Sequence, residues 1–494
     1  MNYEKNVYRV LNCIPRRFVT IIFAVWAVTK ILVAAGIVLV IINGDFIKKD
    51  SILEAGNLKT FQGVSVDMTD ADYWLKRAKK PQKALINISE VSGINMRIAR
   101  TGSCNMNNLK DIEKTVNGVN ISRDLMEGVI ADLGKLTSYY NERGEKYLDE
   151  FAASLAAEAG NSGALIEQPC RFLICTTQTQ LMAYPTKQLL LEDADNKNMD
   201  SNQLASIRLG EPMAALSVSN SGRFFYVKTS NCSGWVEAES VAVCESYSQW
   251  LSAWQILPNE ALVVTGNSVY LSYSNENPMM SNKELSMGVV LRMVPVEELP
   301  QSVGKRASMY NYAVFFPVRL ENGTYSQEIA LISENADVSV GFLTFTKEHI
   351  IKQAYKCLGN VYGWGGMLHS EDCSGYIRDI FKCFGLELPR NTTWQQAMPV
   401  KKYDMSELGQ KERHRLLDKL PLGAVLYMEG HVMLYLGKEN EEYYCISAVG
   451  TVMNETRTET IPLRCISINP LIKTYRPDNT SWLDNLTAAL VIWE

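Results

Sequence analysis

Hydrophobic and polar positions follow different patterns in different segments of the chain. Residues 18–42 form an apolar run that is interrupted only by two threonines and Lys30. Residues 122–157 place apolar side chains at three- and four-residue steps, which predicts a helix. From residue 170 to residue 345 the apolar runs are short and separated by Gly, Asn, Asp and Ser, which predicts strands. Because helical and strand patterns alternate after that, we predict a multidomain α+β protein.

The apolar run at residues 18–42 is long enough to cross a bilayer, which needs about 20 residues. Four basic residues precede it, whereas Lys48 and Lys49 after it are mixed with acidic residues. This bias predicts a cytoplasmic tail at 1–17, a transmembrane anchor or signal segment at 18–44, and an extracellular remainder. A cleaved signal peptide is the rival interpretation, although no clear A-x-A site follows the run. The third interpretation of this run is a buried core helix.

The remainder of the chain is predicted to form four parts. Residues 45–165 are expected to be a helical domain with a packing or docking role. The strand-rich runs of residues 166–255 suit a small β-barrel, and those of residues 256–345 suit a second barrel of the same type. Taken alone, such runs also fit a β-sandwich. Residues 346–494 carry the motifs that suggest chemistry.

Composition narrows the classes of function. The net charge of −5, without a long basic run, disfavours a nucleic-acid partner. The 11 cysteines cannot all pair within one chain. With 4 histidines and no C-x-x-C pair, a protein whose fold depends on bound zinc is disfavoured, and we expect no cofactor. A histidine base must lie in the last third, because that is where every histidine lies: His349, His369, His414 and His431.

One of the cysteines is predicted to begin a helix. The glycine-rich loop Tyr362–Gly366 is followed by Asp372-Cys373-Ser374-Gly375 and then by YIRDIFKCFG, whose apolar residues form one stripe. Cys373 therefore lies at or just before a helix amino terminus. The unpaired N–H groups and the helix dipole at that position favour the thiolate, which is the nucleophilic form of cysteine.

One of the histidines is predicted to begin a strand. Residues 421–428 have a strand pattern, Glu429-Gly430 predict a tight turn, and residues 431–437 form the return strand, which starts at His431. Residues 442–449 predict a third strand beside it. A helix that carries the cysteine, packed against a sheet that carries the histidine, is the arrangement of papain-like enzymes.

Residues 346–450 resemble the NlpC family of papain-like cell-wall cysteine peptidases. The matching stretches are YGWGG, DCSGYIRDIFKCFGLELPRNTTWQQ and LPLGAVLYMEGHVMLYLG, in the order and approximate spacing of the family. The run Gly234-Trp235-Val236 resembles the closing strand of bacterial SH3-like barrels. Two such barrels before the catalytic domain are similar to the multidomain members that cleave murein stem peptides.

The resemblance implies a role for each matching residue. Cys373 would be the nucleophile, His431 the general base, and Tyr362 would lie beside the oxyanion. Ser447 occupies the position of the third polar residue, where the family usually has another histidine. The remaining matches imply substrate contacts: Asp372 to a free amino group; Ser374, Arg390 and Thr392 to the D-glutamate carboxylate; Glu211 as an acid from the first barrel; and Trp364 in the glycine-rich loop.

Two departures from the family pattern bear on these roles. The hydroxyl of Ser447 stabilises an imidazolium less than a more basic partner would. Cys232 stands where the family has a tyrosine that helps to cap the site, which puts specificity for a free amino terminus in question. Each site residue also has a structural alternative: a buried inert thiol for Cys373, a strand histidine for His431, a helix N-cap for Asp372, a surface side chain for Arg390, and packing aromatics for Tyr362 and Trp364.

The leading hypothesis from the sequence is a membrane-anchored or secreted murein peptidase that cleaves the γ-D-glutamyl–diamino acid bond through a Cys373 thioester. Its expected partners are peptidoglycan stem peptides and, through residues 18–42, the membrane. The alternative is a catalytically weak or inactive wall-binding scaffold that uses its barrels. A third class, an acyltransferase or amidase on the same core, would be distinguished by its products.

Overall fold

Short helices and antiparallel sheets alternate along the chain. The structure is a computed structural model, which describes residues 58–111, 133–160 and 170–494. The predicted membrane segment at 18–42 and the first part of the predicted helix at 122–157 lie outside these residues. Within the described ranges, no helix has the length and apolarity that crossing a membrane requires.

The helices and strands are numbered in chain order over the described residues. The helices are α1 (Ala71–Leu75), α2 (Ile88–Arg100), α3 (Leu133–Leu136), α4 (Asp149–Glu158), α5 (Tyr247–Trp254), α6 (Lys347–Tyr355), α7 (Cys373–Lys382), α8 (Thr392–Gln396), α9 (Gln410–Leu417) and α10 (Trp482–Asn485). The first sixteen strands are β1 (Arg171–Cys175), β2 (Thr179–Met182), β3 (Gln203–Ile207), β4 (Pro212–Val218), β5 (Phe224–Lys228), β6 (Ser233–Glu237), β7 (Val241–Val243), β8 (Ala261–Val264), β9 (Ser268–Tyr270), β10 (Glu284–Ser286), β11 (Val290–Met293), β12 (Ser302–Val303), β13 (Arg306–Ala307), β14 (Asn311–Arg319), β15 (Tyr325–Ser333) and β16 (Val338–Val340). The last six are β17 (Lys401–Asp404), β18 (Val425–Met428), β19 (His431–Glu439), β20 (Glu442–Met453), β21 (Thr460–Pro470) and β22 (Leu486–Val491).

The first β-domain is a curved antiparallel sheet with the strand order β3-β2-β6-β5-β4-β1-β7. Its core is formed by alternate apolar residues such as Leu173, Val227 and Val236, all of them buried. Six of its strands lie in the runs that predicted this domain. The strand β3 was not predicted, because its run QLASI is short and follows a series of Asn and Asp turn residues.

The second β-domain has a five-stranded sheet with the order β15-β14-β11-β8-β16. Two small hairpins, β9 with β10 and β12 with β13, stand beside it. The strand pairing of β14 with β15 is continuous over nine residues of each strand and forms the longest ladder of this domain. The short apolar runs between residues 257 and 345 thus correspond to strands, as predicted.

The carboxy-terminal domain is built on a six-stranded sheet with the order β17-β22-β18-β19-β20-β21. One face packs against α6 and α7, and the cluster there includes Ile351, Ile377, Val432 and Ile446. The other face packs against α9 and α10 through residues of a second cluster. The predicted hairpin is confirmed, since Met428 pairs with His431 across the tight turn.

The described helices of residues 45–165 pack onto two different domains. Side chains of α1 and α2 belong to the core cluster of the carboxy-terminal domain, whereas Ala156 of α4 packs against the first β-domain beside Trp235. The single helix predicted for 122–157 is wrong in its described part. Residues 137–148 form turns between α3 and α4, because Gly144 adopts a φ of 79° and Asn141 accepts hydrogen bonds within the turn.

The described residues fall into two units. Residues 61–64 and the described part of 68–494 form one compact unit, which contains α1 to α10 and β1 to β22. Residues 58–60 and 65–67 are the described part of the other.

Candidate active site

Cys373 is the first residue of α7, as predicted. The carboxylate of Asp372 caps this helix by accepting a hydrogen bond of 2.8 Å from the backbone N–H of Gly375. The apolar stripe of α7 faces the sheet, so the helix is buried along its length and only 7% of Cys373 is exposed. The short cap and the apolar stripe therefore fix where the thiol lies.

The surroundings of the thiol do not favour the thiolate in the resting structure. Burial and the negative charge of Asp372 raise the pKa of Cys373 to about 11. The backbone of Val432, the hydroxyl of Thr392 (3.9 Å from Sγ) and the charge of Arg390 act in the opposite direction and do not offset burial. Burial and the charge of Asp372 therefore act against the preference for the thiolate that was predicted from the helix amino terminus.

Asp372 and Arg390 form a buried ion pair next to Cys373. Nη2 of Arg390 lies 2.6 Å from one carboxylate oxygen and Nη1 lies 3.2 Å from the other. Although burial disfavours the charged carboxylate, Arg390 and the hydrogen bonds from Gly375 and Ser374 hold the pKa of Asp372 below its usual value. Asp372 thus combines the cap of α7 with a salt bridge, and Ser374 is bonded to both partners.

His431 begins β19 and is held by two neighbours. Its Nε2 lies 3.0 Å from the hydroxyl of Ser447, which is fully buried on β20. The ring of Trp482 packs on the imidazole, with 5.0 Å between the ring centroids. Burial, together with the charge of Arg476, lowers the pKa of His431 to about 4. The imidazole is therefore neutral at pH 7, and its Nδ1 makes no hydrogen bond among the described residues.

The thiol and the imidazole are neighbours without being bonded to each other. Helix α7 packs on β19, and the thiol of Cys373 faces the backbone of Val432, the residue after His431. The His431 ring itself lies against Trp482, which belongs to the core on the other face of the sheet. Within the described residues no hydrogen bond joins Cys373 to His431. Such bonds often form only when substrate is present.

The glycine-rich loop lies between Cys373 and the first β-domain. The backbone N–H of Tyr362 donates to the carbonyl of Arg464 over 2.9 Å, which ties the loop to β21. Burial, and the nearby Cys373 and Asp372, raise the pKa of Tyr362, so its phenol stays protonated. The indole N–H of Trp364 donates to the carbonyl of Asp200 over 3.1 Å. Tyr362 is thus near the thiol, whereas Trp364 contacts the first β-domain.

The remaining predicted residues are divided between the two ends of α7. Ser374 and Thr392 lie beside Cys373. The carboxylate of Glu211 instead lies 3.2 Å from Nζ of Lys382, the last residue of α7, about 13 Å along the helix from Cys373. Cys232 is close enough to Arg390 for that charge to act on its thiol, although burial raises the pKa of Cys232.

Two side chains of the site were not singled out from the sequence, although Gln395 lies within the matching stretch that ends in NTTWQQ. Gln395 is fully buried, and its amide donates to the carbonyls of Ser374 and Pro389 at 3.0 and 2.9 Å, which holds the turn after the nucleophile. Trp482 comes from the last 13 residues, far from every motif in the chain. Among the described residues, no group of His, Cys, Asp and Glu could hold a metal ion.

The helix-on-sheet arrangement, with a cysteine at the helix start and a histidine at the start of the facing strand, is that of the papain-like class. Residues 359–452 match the NlpC/P60 family, and residues 190–237 match the SH3 domain of the SH3b1 type. The chain therefore contains an NlpC/P60 domain preceded by a bacterial SH3 domain, which confirms the resemblance found in the sequence.

Two solved structures show similar chains. An NlpC/P60 endopeptidase from Photobacterium damselae subsp. piscicida superposes with a TM-score of 0.64 at 18% identity and covers 86% of this chain and 97% of its own. An NlpC/P60 family protein from Bacillus cereus has a TM-score of 0.43 at 17% identity, with 65% and 100% covered. The first likeness shows a shared fold. No curated protein matches the sequence.

Proposed function

We propose that the chain is a cell-wall peptide hydrolase that cleaves the γ-D-glutamyl–diamino acid bond of peptidoglycan stem peptides through a thioester on Cys373. The observation that carries the proposal is the position of this thiol, at the capped start of buried α7 and beside the strand that begins at His431. The match to the NlpC/P60 family supports this class of reaction. The Photobacterium protein, which has the same fold, is described as an endopeptidase.

The first step is attack by a thiol that begins in its neutral form. The pKa of about 11 for Cys373 and of about 4 for His431 mean that both groups are neutral at pH 7. Because Ser447 occupies Nε2 of the imidazole, the thiol proton passes to Nδ1 while Sγ forms a bond to the carbonyl carbon. Ser447 orients the ring for this transfer and accepts a hydrogen bond from the imidazolium.

The second step is the collapse of the tetrahedral intermediate. Its oxyanion is stabilised by backbone N–H groups at the start of α7 and by the phenol of Tyr362, whose raised pKa keeps it a donor. The carbon–nitrogen bond then breaks, and the imidazolium of His431 gives its proton to the leaving amine. Water, activated by the same histidine, hydrolyses the thioester and releases the D-glutamyl product.

Substrate binding is assigned to the polar residues around Cys373. The D-glutamate carboxylate would be held by Arg390, Ser374 and Thr392. Both terminal nitrogens of Arg390 already contact Asp372, and its buried Nε has no hydrogen-bond partner among the described residues. The Nε–H and the second N–H of Nη2 are therefore the donors that the guanidinium still has to offer. Asp372, in turn, is already paired, which weakens its suitability as a receptor for a free amino group.

The second candidate is a peptidoglycan-binding scaffold with a weak or inactive catalytic domain. The observation that favours it is the hydroxyl of Ser447 as the only described hydrogen-bond partner of His431, combined with the high pKa of Cys373. The SH3 domain would then bind the wall.

In either case we propose a location outside the membrane, with residues 18–42 as anchor or signal segment. An acyltransferase or amidase would use the same thioester with another acceptor.

The test is digestion of purified peptidoglycan by the purified protein, followed by mass analysis of the fragments. We expect fragments that end in D-glutamate and complementary fragments that begin with the diamino acid. Cys373→Ala should abolish their release, whereas the matched control Cys244→Ala, a buried cysteine of another core, should retain it. Equal release by Cys373→Ala would overturn the Cys373 thioester, whereas no release by the unchanged protein together with binding to peptidoglycan would favour the scaffold.

A further inference from the structure

One buried arginine joins three domains beside the nucleophile. Arg208 follows β3 of the first β-domain and is only 3% exposed. Its Nη2 donates to a carboxylate oxygen of Glu371 and to one of Asp379, both in the NlpC/P60 domain. Its Nη1 donates over 3.2 Å to the carbonyl of Met287 in the second β-domain. A single guanidinium thus binds two carboxylates and one carbonyl.

The two carboxylates belong to the segment that carries Cys373. Glu371 immediately precedes Asp372, the cap of α7, and its carbonyl accepts a hydrogen bond of 3.1 Å from Gly363 in the glycine-rich loop. Asp379 lies six residues after Cys373, on the same helix. Arg208 therefore holds the backbone before the nucleophile and the body of its helix together. Ser206 adds a hydrogen bond of 3.0 Å to the same oxygen of Glu371.

The strand before Arg208 packs closely against the glycine-rich loop. A Cβ atom on Gly365 would lie 2.6 Å from Cγ of Gln203, and one on Gly366 would lie 2.5 Å from Cβ of Ser206. Both glycines also have positive φ values, of 60° and 87°. The amide of Gln203 donates over 2.9 Å to the carbonyl of Gly365. The loop that carries Tyr362 thus contacts β3 directly.

A small polar cavity borders the same cluster. It has a volume of about 30 Å³, and Arg208, Glu371, Asp379 and Cys357 are among its lining residues. One oxygen each of Glu371 and Asp379 is buried without a hydrogen-bond partner among the described residues. The space is large enough to hold a water molecule. Shortening Arg208 would enlarge it and remove the only hydrogen bonds from a guanidinium to the two carboxylates, which would keep Arg378, at 4.0 Å from Glu371 and 3.6 Å from Asp379, as their remaining cation among the described residues.

We infer that Arg208 is a positioning residue for the hydrolysis reaction: through Glu371 and Asp379, the first β-domain sets where Cys373 and Tyr362 stand relative to the substrate carbonyl. This inference rests on the proposed function for its kinetic consequence. Arg208 touches neither thiol nor substrate, so it acts on the rate through geometry. A displacement of the reacting atoms by about 1 Å can cost about 100-fold in rate.

The test compares Arg208→Met and Arg208→Lys with a matched control in the full-length protein. Arg292→Lys is the control. Arg292 also donates hydrogen bonds to backbone carbonyls of another segment, those of Ser252 and Gln255, but neither of these partners belongs to α7. With a stem peptide as substrate, Arg208→Met should lower kcat about 100-fold with KM changed less than threefold. Arg208→Lys should recover part of the loss, and Arg292→Lys should match the unchanged protein.

A second readout does not depend on the substrate. The rate at which iodoacetamide alkylates Cys373, followed by mass analysis of the peptide that contains it, should rise severalfold in Arg208→Met, because the buried thiol is no longer held in place. If the unchanged protein cleaves no stem peptide but this rate still rises, the proposed function fails and the positioning role stands. Unchanged alkylation and unchanged kcat overturn the positioning role.

Loss of folding is separated from loss of position by a milder variant. Ser206→Ala removes one hydrogen bond to Glu371 and keeps the Arg208 ion pairs. It should lower kcat two- to fivefold at an unchanged melting temperature. If Arg208→Met unfolds the protein and Ser206→Ala has the kcat of the unchanged protein, Arg208 is only a structural residue and the inference is overturned.

Discussion

The protonation state of Cys373 gives the sharpest quantitative prediction. The structure places its pKa at about 11, since burial and Asp372 both disfavour the thiolate. A pKa of about 11 leaves about one thiol in 10,000 ionised at pH 7, whereas an ordinary thiol with a pKa near 8.5 has about three in 100 ionised. The thiolate of higher pKa is intrinsically more nucleophilic, by about 10- to 20-fold. The net expectation is alkylation about 20-fold slower than for an ordinary thiol at pH 7.

The assay is the rate of iodoacetamide alkylation of Cys373 between pH 5 and pH 11.5, measured on its own peptide by mass spectrometry. The midpoint of the curve is the readout, because limited access to a buried thiol lowers the whole curve without shifting it. We expect the rate to keep rising above pH 9. His431→Ala should leave this midpoint in the same range, because the imidazole is neutral there.

A different curve would refute this reasoning. If the rate reaches its plateau by pH 7 in the unchanged protein, and the midpoint moves upward in His431→Ala, the resting enzyme holds a thiolate–imidazolium pair. The neutral attack proposed above would then be wrong. The arrangement of charges around Asp372 would also need another explanation, because its negative charge lies next to the thiol.

Three further predictions follow from the hydrogen bonds of the site. Ser447→Ala should lower kcat about fivefold, because one neutral hydrogen bond contributes about 1 kcal/mol; unchanged steady-state kinetics would contradict an orienting role. Asp372→Asn leaves the Arg390 charge buried without its partner and should lower the free energy of unfolding by about 3–5 kcal/mol in urea titrations. Because folding lowers the pKa of Asp372, its carboxylate stabilises the folded protein above the pKa it has in the unfolded chain. That stabilisation is lost as the pH falls through the pKa of Asp372 in the folded protein. The variant should therefore lose less stability than the unchanged protein below pH 4. A stem peptide with an acetylated amino terminus should be cleaved within threefold of the free peptide, because Asp372 and Glu211 are already paired with cations; a loss of 100-fold would contradict this.

Local signals predicted the nucleophile helix and the histidine strand. Asp372 supplies a cap, the apolar stripe of YIRDIFKCFG gives α7 its buried face, and Glu429-Gly430 gives the hairpin its turn. Each of these signals lies within a few residues of the element it specifies. Together with the resemblance to the NlpC family, they led to the prediction of Cys373 among 11 cysteines and of His431 among 4 histidines.

The contacts between domains could not be predicted in the same way. The partners Arg208 and Glu371 are 163 residues apart, and the strand before Arg208 has no clear alternation of apolar and polar residues. The same holds for Trp482, which reaches His431 from the end of the chain. The resting pKa of Cys373 also depends on tertiary burial, which raises it and which no local sequence signal reports.

The central claim is that Cys373 forms a thioester with the D-glutamyl carbonyl of a stem peptide. The most direct measurement is rapid acid quenching of the protein with a defined stem peptide, followed by mass analysis of the Cys373 peptide. We expect a mass increase that equals the part of the substrate ending in D-glutamate, with the diamino acid released in equal amount before the first turnover ends. Release of the diamino acid without any adduct on Cys373, or an adduct on another residue, would contradict it.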